Sequence, residues 1–111
     1  MAATYKVLGQ ADLTTTSDTN IYTVPAATET VISSIIVANR AATAQTYNLA
    51  VRPNGETLAN KHYIARTVSI AANDSTTFTL GITMDATDII TASAGSANAL
   101  SINIFGAEIP A

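Results

Sequence analysis

His62 is the only histidine of the chain, and that side chain is the usual choice for moving protons near neutral pH. Hydrolysis by a triad would need a hydroxyl nucleophile in front of it and an orienting carboxylate behind it. Its neighbours are Lys61 and Tyr63, and no catalytic motif surrounds it, so it reads as a polar strand residue. Asp85 and Asp88 could lend oxygens to Ca²⁺, but that ion takes about six or more and no Asp-x-Asp-x-Asp spacing is present, so both read as Asx-turn formers. Asn73-Asp74-Ser75 fits the N-glycosylation acceptor pattern, yet without a secretion route it reads as a turn. The absence of cysteine excludes a disulfide framework, a thiolate nucleophile and cysteine-ligated zinc. No glycines gather into a phosphate cradle. The inventory points away from an enzyme, with no cofactor and no metal.

The elements that must position these residues are strands. From Ser75 to Met84, Phe78, Leu80, Ile82 and Met84 alternate with Thr77, Thr79, Gly81 and Thr83, and a period of two puts the apolar set on one face of a half-buried strand. Turn chemistry separates about eight such segments. Tyr5 to Leu8 forms a first strand ending at Gly9, the polar run Thr14 to Asn20 a loop, and Ile21 to Val24 a second strand stopped by Pro25, which cannot donate to a ladder. Thr30 to Asn39 carries Val31, Ile35 and Val37 on one face and Ile32, Ile36 and Ala38 on the other, as expected of a central, covered strand. Gln45 to Arg52 alternates, with Tyr47, Leu49 and Val51 inward, and Pro53-Asn54-Gly55-Glu56 turns the chain because Asn-Gly accepts positive φ cheaply. His62 to Ile70 follows, then the alternating strand, then Ile89 to Ala92, a polar loop Ser93 to Asn98, and Leu100 to Phe105 with Leu100, Ile102 and Ile104 buried. Tyr5, Tyr22, Tyr47 and Tyr63 each fall in a strand, where packing in the core or its rim is expected. An Ala-Ala turn precedes a strand twice, at Pro25 to Thr28 and Ala71 to Asp74. No window of helical length carries apolar residues at the three-four spacing. The expected fold is all-β, a single antiparallel β-sandwich or jelly-roll-like domain spanning residues 1–111.

With 111 residues the chain is long enough to bury a core without metal or disulfide support. Charged residues make up 12%, about half the usual share, which suits a surface partly covered by other subunits. A net charge of −3 argues against nucleic acid as a partner. The N-terminus has no basic region followed by an apolar stretch, and the apolar runs are too short to cross a bilayer, so no membrane is expected either. The charges are unevenly spread. Residues 40–66 hold Arg40, Arg52, Lys61 and Arg66 against Glu56, net +3, and the rest holds Lys6 against seven acids, net −6. A basic middle and acidic ends can set register and orientation between docked partners.

Ile21-Tyr22-Thr23-Val24-Pro25-Ala26, Ser34 to Arg40, Tyr47 to Gly55, His62-Tyr63-Ile64-Ala65 and the closing Asn103 to Ile109 together resemble small β-sandwich virion proteins of tailed bacteriophages, over nearly the whole chain. The resemblance implies a protein made in the host cytoplasm and repeated on the virion surface. Its most specific form is a trimeric capsid decoration or cement protein whose partner is the major capsid protein; the alternative is a tail, neck, baseplate or head-fibre component with a receptor-binding role. For docking, the charge distribution selects Arg40, Arg52, Lys61 and Arg66, with the Thr14 to Asn20 loop also exposed.

Overall fold

The structure, a computed structural model, describes residues 2–79 and 81–111. Nine strands run in chain order: β1 (Thr4–Leu13), β2 (Thr19–Thr23), β3 (Thr28–Asn39), β4 (Gln45–Arg52), β5 (Tyr63–Ile70), β6 (Ser75–Phe78), β7 (Ile82–Met84), β8 (Ile89–Ala94) and β9 (Leu100–Pro110). They form two antiparallel sheets, β1-β9-β3-β6 with β7 also on β3, and β2-β8-β4-β5. Pairing is nested: β1 with β9, β2 with β8, β3 with β6 and β7, β4 with β5. The chain is thus one long hairpin rolled so that successive pairs fall alternately into the two sheets, the arrangement of a jelly roll. Between the sheets lie fully buried Ile35, Leu49, Ile90, Leu100 and Ile104, each removing enough apolar surface from water to contribute about 1.5–3 kcal/mol.

The all-β, two-sheet expectation holds, and β4 has the expected bounds. Where strands differ, the cause is pairing. The first strand does not stop at Gly9 but runs to Leu13; the glycine is there because a Cβ would stand 2.7 Å from the Ile21 carbonyl oxygen, where β2 crosses. Only residues 14–18 of the polar run are loop, since Thr19 and Asn20 pair with β8. His62 lies in a 3₁₀ turn, Asn60–His62, ahead of β5. Ser93 and Ala94 belong to β8 and are buried, and β9 continues past Phe105 to Pro110.

Two of these differences change which residues face out. The alternating segment from Ser75 to Met84 splits into β6 and β7, both on β3; Thr77, Thr79 and Thr83 are exposed and Met84 is buried as the alternation requires, and Leu80 lies outside the described residues. In β3 the pairing with β9 shifts between Ile32 and Ser34. The extra residue reverses the alternation: Ile32, Ile35 and Val37 all point into the core, while Val31, expected on their face, points out.

The repeated turn is confirmed and used a third time. Ala27, Asn73 and Thr87 occupy equivalent positions with φ of 54°, 55° and 69°, and in the second and third turns the amides of Asp74 and Asp88 close back on the carbonyls of Ala71 and Asp85. Asn54 and Gly55 both take positive φ, as the Asn-Gly pair predicts.

Tyr47 marks a weak point in the core. Its ring meets Phe78 edge-on at 6.2 Å, but its buried hydroxyl has no hydrogen-bond partner among the described residues; the Thr76 hydroxyl lies nearby without reaching hydrogen-bond geometry. Tyr47→Phe keeps the ring and removes a desolvated polar atom, so it is expected to stabilise the protein by about 1 kcal/mol in urea unfolding. A loss of stability would show that the hydroxyl is satisfied.

Candidate functional site

Two of the four cations chosen from the sequence, Arg52 and Lys61, are brought together at Glu56, and a third, Arg66, lies on the neighbouring strand β5. Arg52, at the end of β4, donates from Nε to Thr91 Oγ1 at 3.0 Å, from Nη2 to Asn20 Oδ1 at 2.8 Å and from Nη1 to the Glu56 carbonyl at 2.9 Å. It is therefore a clamp across β4, β8 and β2. Lys61 approaches Glu56 Oε1 at 3.4 Å, with its side chain 73% exposed. Arg66 lies over the Tyr63 ring, 4.6 Å from its centre, a cation–π contact that holds the guanidinium flat against β5. Beside it β5 bulges: Val68 pairs with Tyr47 and Ala65 with Leu49, Thr67 takes φ 52°, and the amide thus freed donates to Asn48 Oδ1 at 2.7 Å. Arg40 stands apart, at the other end of the molecule beyond β3, where it pairs with Asp12 and its backbone amide donates to the Ala99 carbonyl.

His62 takes part in this corner without any catalytic arrangement. Its Nδ1 accepts the Ala59 amide at 3.0 Å, which assigns the ring proton to Nε2, 3.3 Å from Glu56 Oε1. The buried imidazole closes the loop from Glu56 to His62. Hydrogen bonding from His62, then from Lys61, holds the Glu56 carboxyl below its usual range. Asp85 and Asp88 spend their oxygens on backbone amides: Asp88 on Asn54 and Asp85, and Asp85 on Ala86, each at 2.8 Å. They are turn formers, as is Asp74, which accepts the Ser75 amide. Among the described residues no three His, Cys, Asp or Glu side chains group as metal ligands, and no helix is long and apolar enough to cross a membrane.

The fold also draws acidic ends onto basic residues. Asp12 neutralises Arg40, and Lys6 meets Glu108 Oε1 at 2.8 Å. The second pair belongs to a polar network that sequence reasoning missed. Tyr22 donates to Glu108 Oε2 at 2.6 Å, so the buried Thr30 hydroxyl, 2.8 Å away, must donate to the tyrosine oxygen. Residues from β1, β2, β3 and β9 meet here, joining the two sheets. Burial first, and then Glu108, pushes the Tyr22 hydroxyl up to about 12; Lys6 and Tyr22 pull the Glu108 carboxyl down.

The second feature missed is an uncovered apolar area. On the outer face of the first sheet, Tyr5 and Val7 of β1, Phe105, Ala107 and Ile109 of β9 and Val31 of β3 line a groove of about 610 Å³. Tyr5 pairs with Ala107 and Ala107 with Val31, so large side chains on the flanking strands rise above a floor of small ones, Gly106 and Ala107. Past the bulges opposite Phe105 the same face turns polar, with Gln10 hydrogen-bonded to Asn103 and Asp12 to Arg40. Tyr22 and Tyr47 pack in the core as expected; Tyr5 does not, being 84% exposed. The first strand alternates in the sequence, but only pairing shows which of its faces lacks a cover.

The architecture is that of an antiparallel two-sheet jelly roll. No protein-family model matches the chain, and no curated protein does. Among solved structures it is similar to a chain of the acidic stable capsid structure of Helicobacter pylori bacteriophage KHP30, with a TM-score of 0.57 and 14% identity, covering 100% of this chain and 90% of that one. At that identity the likeness is one of fold.

Proposed function

We propose that the protein is a non-enzymatic structural component of a phage virion, and within that class a decoration or cement protein on the outer capsid shell. The observation that carries the reading is the end-to-end fold match to a chain from a phage capsid, which agrees with the resemblance of its strand and turn phrases to phage virion proteins. The mechanism is physical. Many weak contacts, replicated by the symmetry of the shell, add up across junctions of major capsid subunits and resist outward pressure. The copy number of the chain in purified particles, measured by mass spectrometry against the major capsid protein, tests it. A ratio near one to one, or one per local threefold, supports decoration; a few to a few dozen copies would move the protein to the tail, neck or baseplate, and absence from the particle would sink the virion reading.

Of the residues selected for docking, Lys61 and Arg66 are the ones whose charge faces outward, whereas Arg52 is occupied in holding β4, β8 and β2 together. Lys61→Glu combined with Arg66→Glu is expected to weaken particle binding at least about tenfold at low salt and to flatten its salt dependence, because rim charges act mainly on encounter. Arg40→Glu, at the other end, is expected to have the smaller effect. Binding and salt slope left unchanged by the double reversal would remove the basic corner from the docking surface.

A further inference from the structure

On the outer face of the first sheet Tyr5 of β1, Ala107 of β9, Val31 of β3 and Thr83 of β7 stand in one row, each paired with the next. In the adjoining row Ile109 pairs with Glu29, and the pairing of Thr30 with Met84 brings Asp85 alongside Glu29. The apolar half-face therefore runs on into an acidic notch: Val31 and Ile109 line both the groove and a neighbouring hollow that takes in Glu29, Asp85 and Asp88. Glu29 is exposed and forms no ion pair among the described residues. Asp85 and Asp88 accept backbone amides only, and no cation lines the notch.

We propose that this half-face seats a short apolar segment of another protein, with a lysine or arginine of that segment lying over Glu29. Charge complementarity selects the occupant. Lys6, at the far margin of the groove, is matched internally by Glu108, so the field that remains over the surface is that of the notch, and it is negative. An apolar segment without a cation would cover the groove and leave those carboxylates facing it unanswered, whereas an acidic one would be repelled. The exposed ring of Tyr5 beside a floor of Gly106 and Ala107 is the kind of aromatic anchor that polypeptide interfaces favour, with charge at the rim. A small apolar ligand fits less well, because its pockets enclose most of it and this groove lies open along a sheet face.

The segment lies on the face and does not extend the sheet. β1 is the edge strand, it carries Lys6, and its pairing breaks at Leu8; a lysine and a bulge are what keep an edge strand from recruiting another chain. Three strands spaced about 4.8 Å apart and some six residues deep offer an area well under the ~800 Å² per partner of a standard interface. A single contact is consequently weak, with a Kd of about 0.1–1 mM, and gains strength where many copies act together. This surface is on the opposite sheet from Lys61 and Arg66, so its occupancy is tested on the isolated chain whatever the copy number in particles turns out to be.

The probe is a synthetic, end-blocked peptide of about six residues, long enough to cross the half-face, in which valine and phenylalanine alternate with serine and one end carries two arginines. A second peptide has the arginines at the other end, and controls carry glutamates in their place. Amide shifts of the isolated chain are followed as each is added. Shifts confined to Tyr5–Val7, Glu29–Val31 and Phe105–Ile109 are expected, with one arginine peptide binding at least about threefold more tightly than its glutamate control at low salt and the two converging at about 1 M salt, where the Debye length is about 3 Å. Glu29→Lys should reverse the preference, and Tyr5→Ser should weaken binding at least fivefold without moving the thermal midpoint; if it lowers the midpoint, Val31→Ser carries the same test. No binding by any peptide, equal binding of arginine and glutamate forms, indifference to Glu29→Lys, or shifts centred on Lys61 to Arg66 would each overturn the proposal. So would an isolated chain that sediments as an oligomer until Tyr5 is replaced, since a second copy would then be the occupant.

Discussion

Gly106→Ala is expected to destabilise the protein by about 3 kcal/mol, at the upper end of what overpacking costs. A Cβ built on Gly106 would stand 2.2 Å from the Val31 carbonyl oxygen, 3.0 Å from Leu8 Cδ1 and 3.1 Å from Ile32 Cα. Two of those three atoms are backbone, so no rotamer change makes room. The crowding has a local origin: β1 breaks register at Leu8 and β3 at Ser33, on opposite sides of β9 and both opposite Phe105. Two bulges facing one strand press the neighbouring backbones inward. Urea unfolding should show the midpoint falling by more than about 1 M, given a slope of about 1–3 kcal/mol/M. Gly81→Ala, where nothing among the described residues lies within 4 Å of the added carbon, should stay within about 0.5 kcal/mol. An alanine at 106 as well tolerated as one at 81 would mean that the paired bulges do not exist as described.

Those bulges also decide how far the sequence could be read. Strand positions were legible because alternation and turn chemistry are local: β4 runs from Gln45 to Arg52 because Pro53-Asn54-Gly55 can only turn. Facing was legible as long as alternation was unbroken, as for Leu100, Ile102 and Ile104. It was lost at Ser33, since an extra residue is defined by the partner strand and leaves no mark on its own strand beyond two serines. Unbroken alternation therefore puts Val31 on the face of Ile35 and Val37, whereas the bulge turns it out onto the uncovered apolar area.

The charged residues show the same limit. Residue types announced a basic middle, but only nested pairing places Arg40 on Asp12, twenty-eight residues away, while Arg52 and Lys61 converge on Glu56. Asp85 and Asp88 were easier, because they do what such residues do in turns and satisfy nearby backbone amides; His62, expected in a strand, instead closes a 3₁₀ turn ahead of β5.

Tyr22→Phe is the other large effect, expected to cost about 2 kcal/mol at neutral pH. The phenylalanine ring fits the same space, so the change isolates the hydroxyl. That hydroxyl serves a carboxylate on one side and a buried threonine on the other, and a hydrogen bond to a charged group is worth about 1.5–3 kcal/mol. The pH dependence should change on both limbs. Glu108 is held below the usual carboxylate range by Lys6 and Tyr22, so its contribution is present above its unfolded-state value and disappears as pH falls through the folded one. In the variant only Lys6 remains to lower it, and the acid limb should become shallower. The Tyr22 hydroxyl is shifted the other way, from 10.0 to about 12; its contribution is complete below the unfolded-state value and disappears as pH rises toward the folded one. That alkaline loss should be absent from the variant, since phenylalanine does not titrate. Urea unfolding of both proteins at acid, neutral and alkaline pH reads all three effects, and parallel stability curves would show that the four-strand network is not coupled to Glu108. Because the network joins both sheets beside the apolar half-face, its loss should also loosen the Tyr5 end of β1 ahead of the rest, seen as faster amide exchange from Thr4 to Val7 than from Gln10 to Leu13.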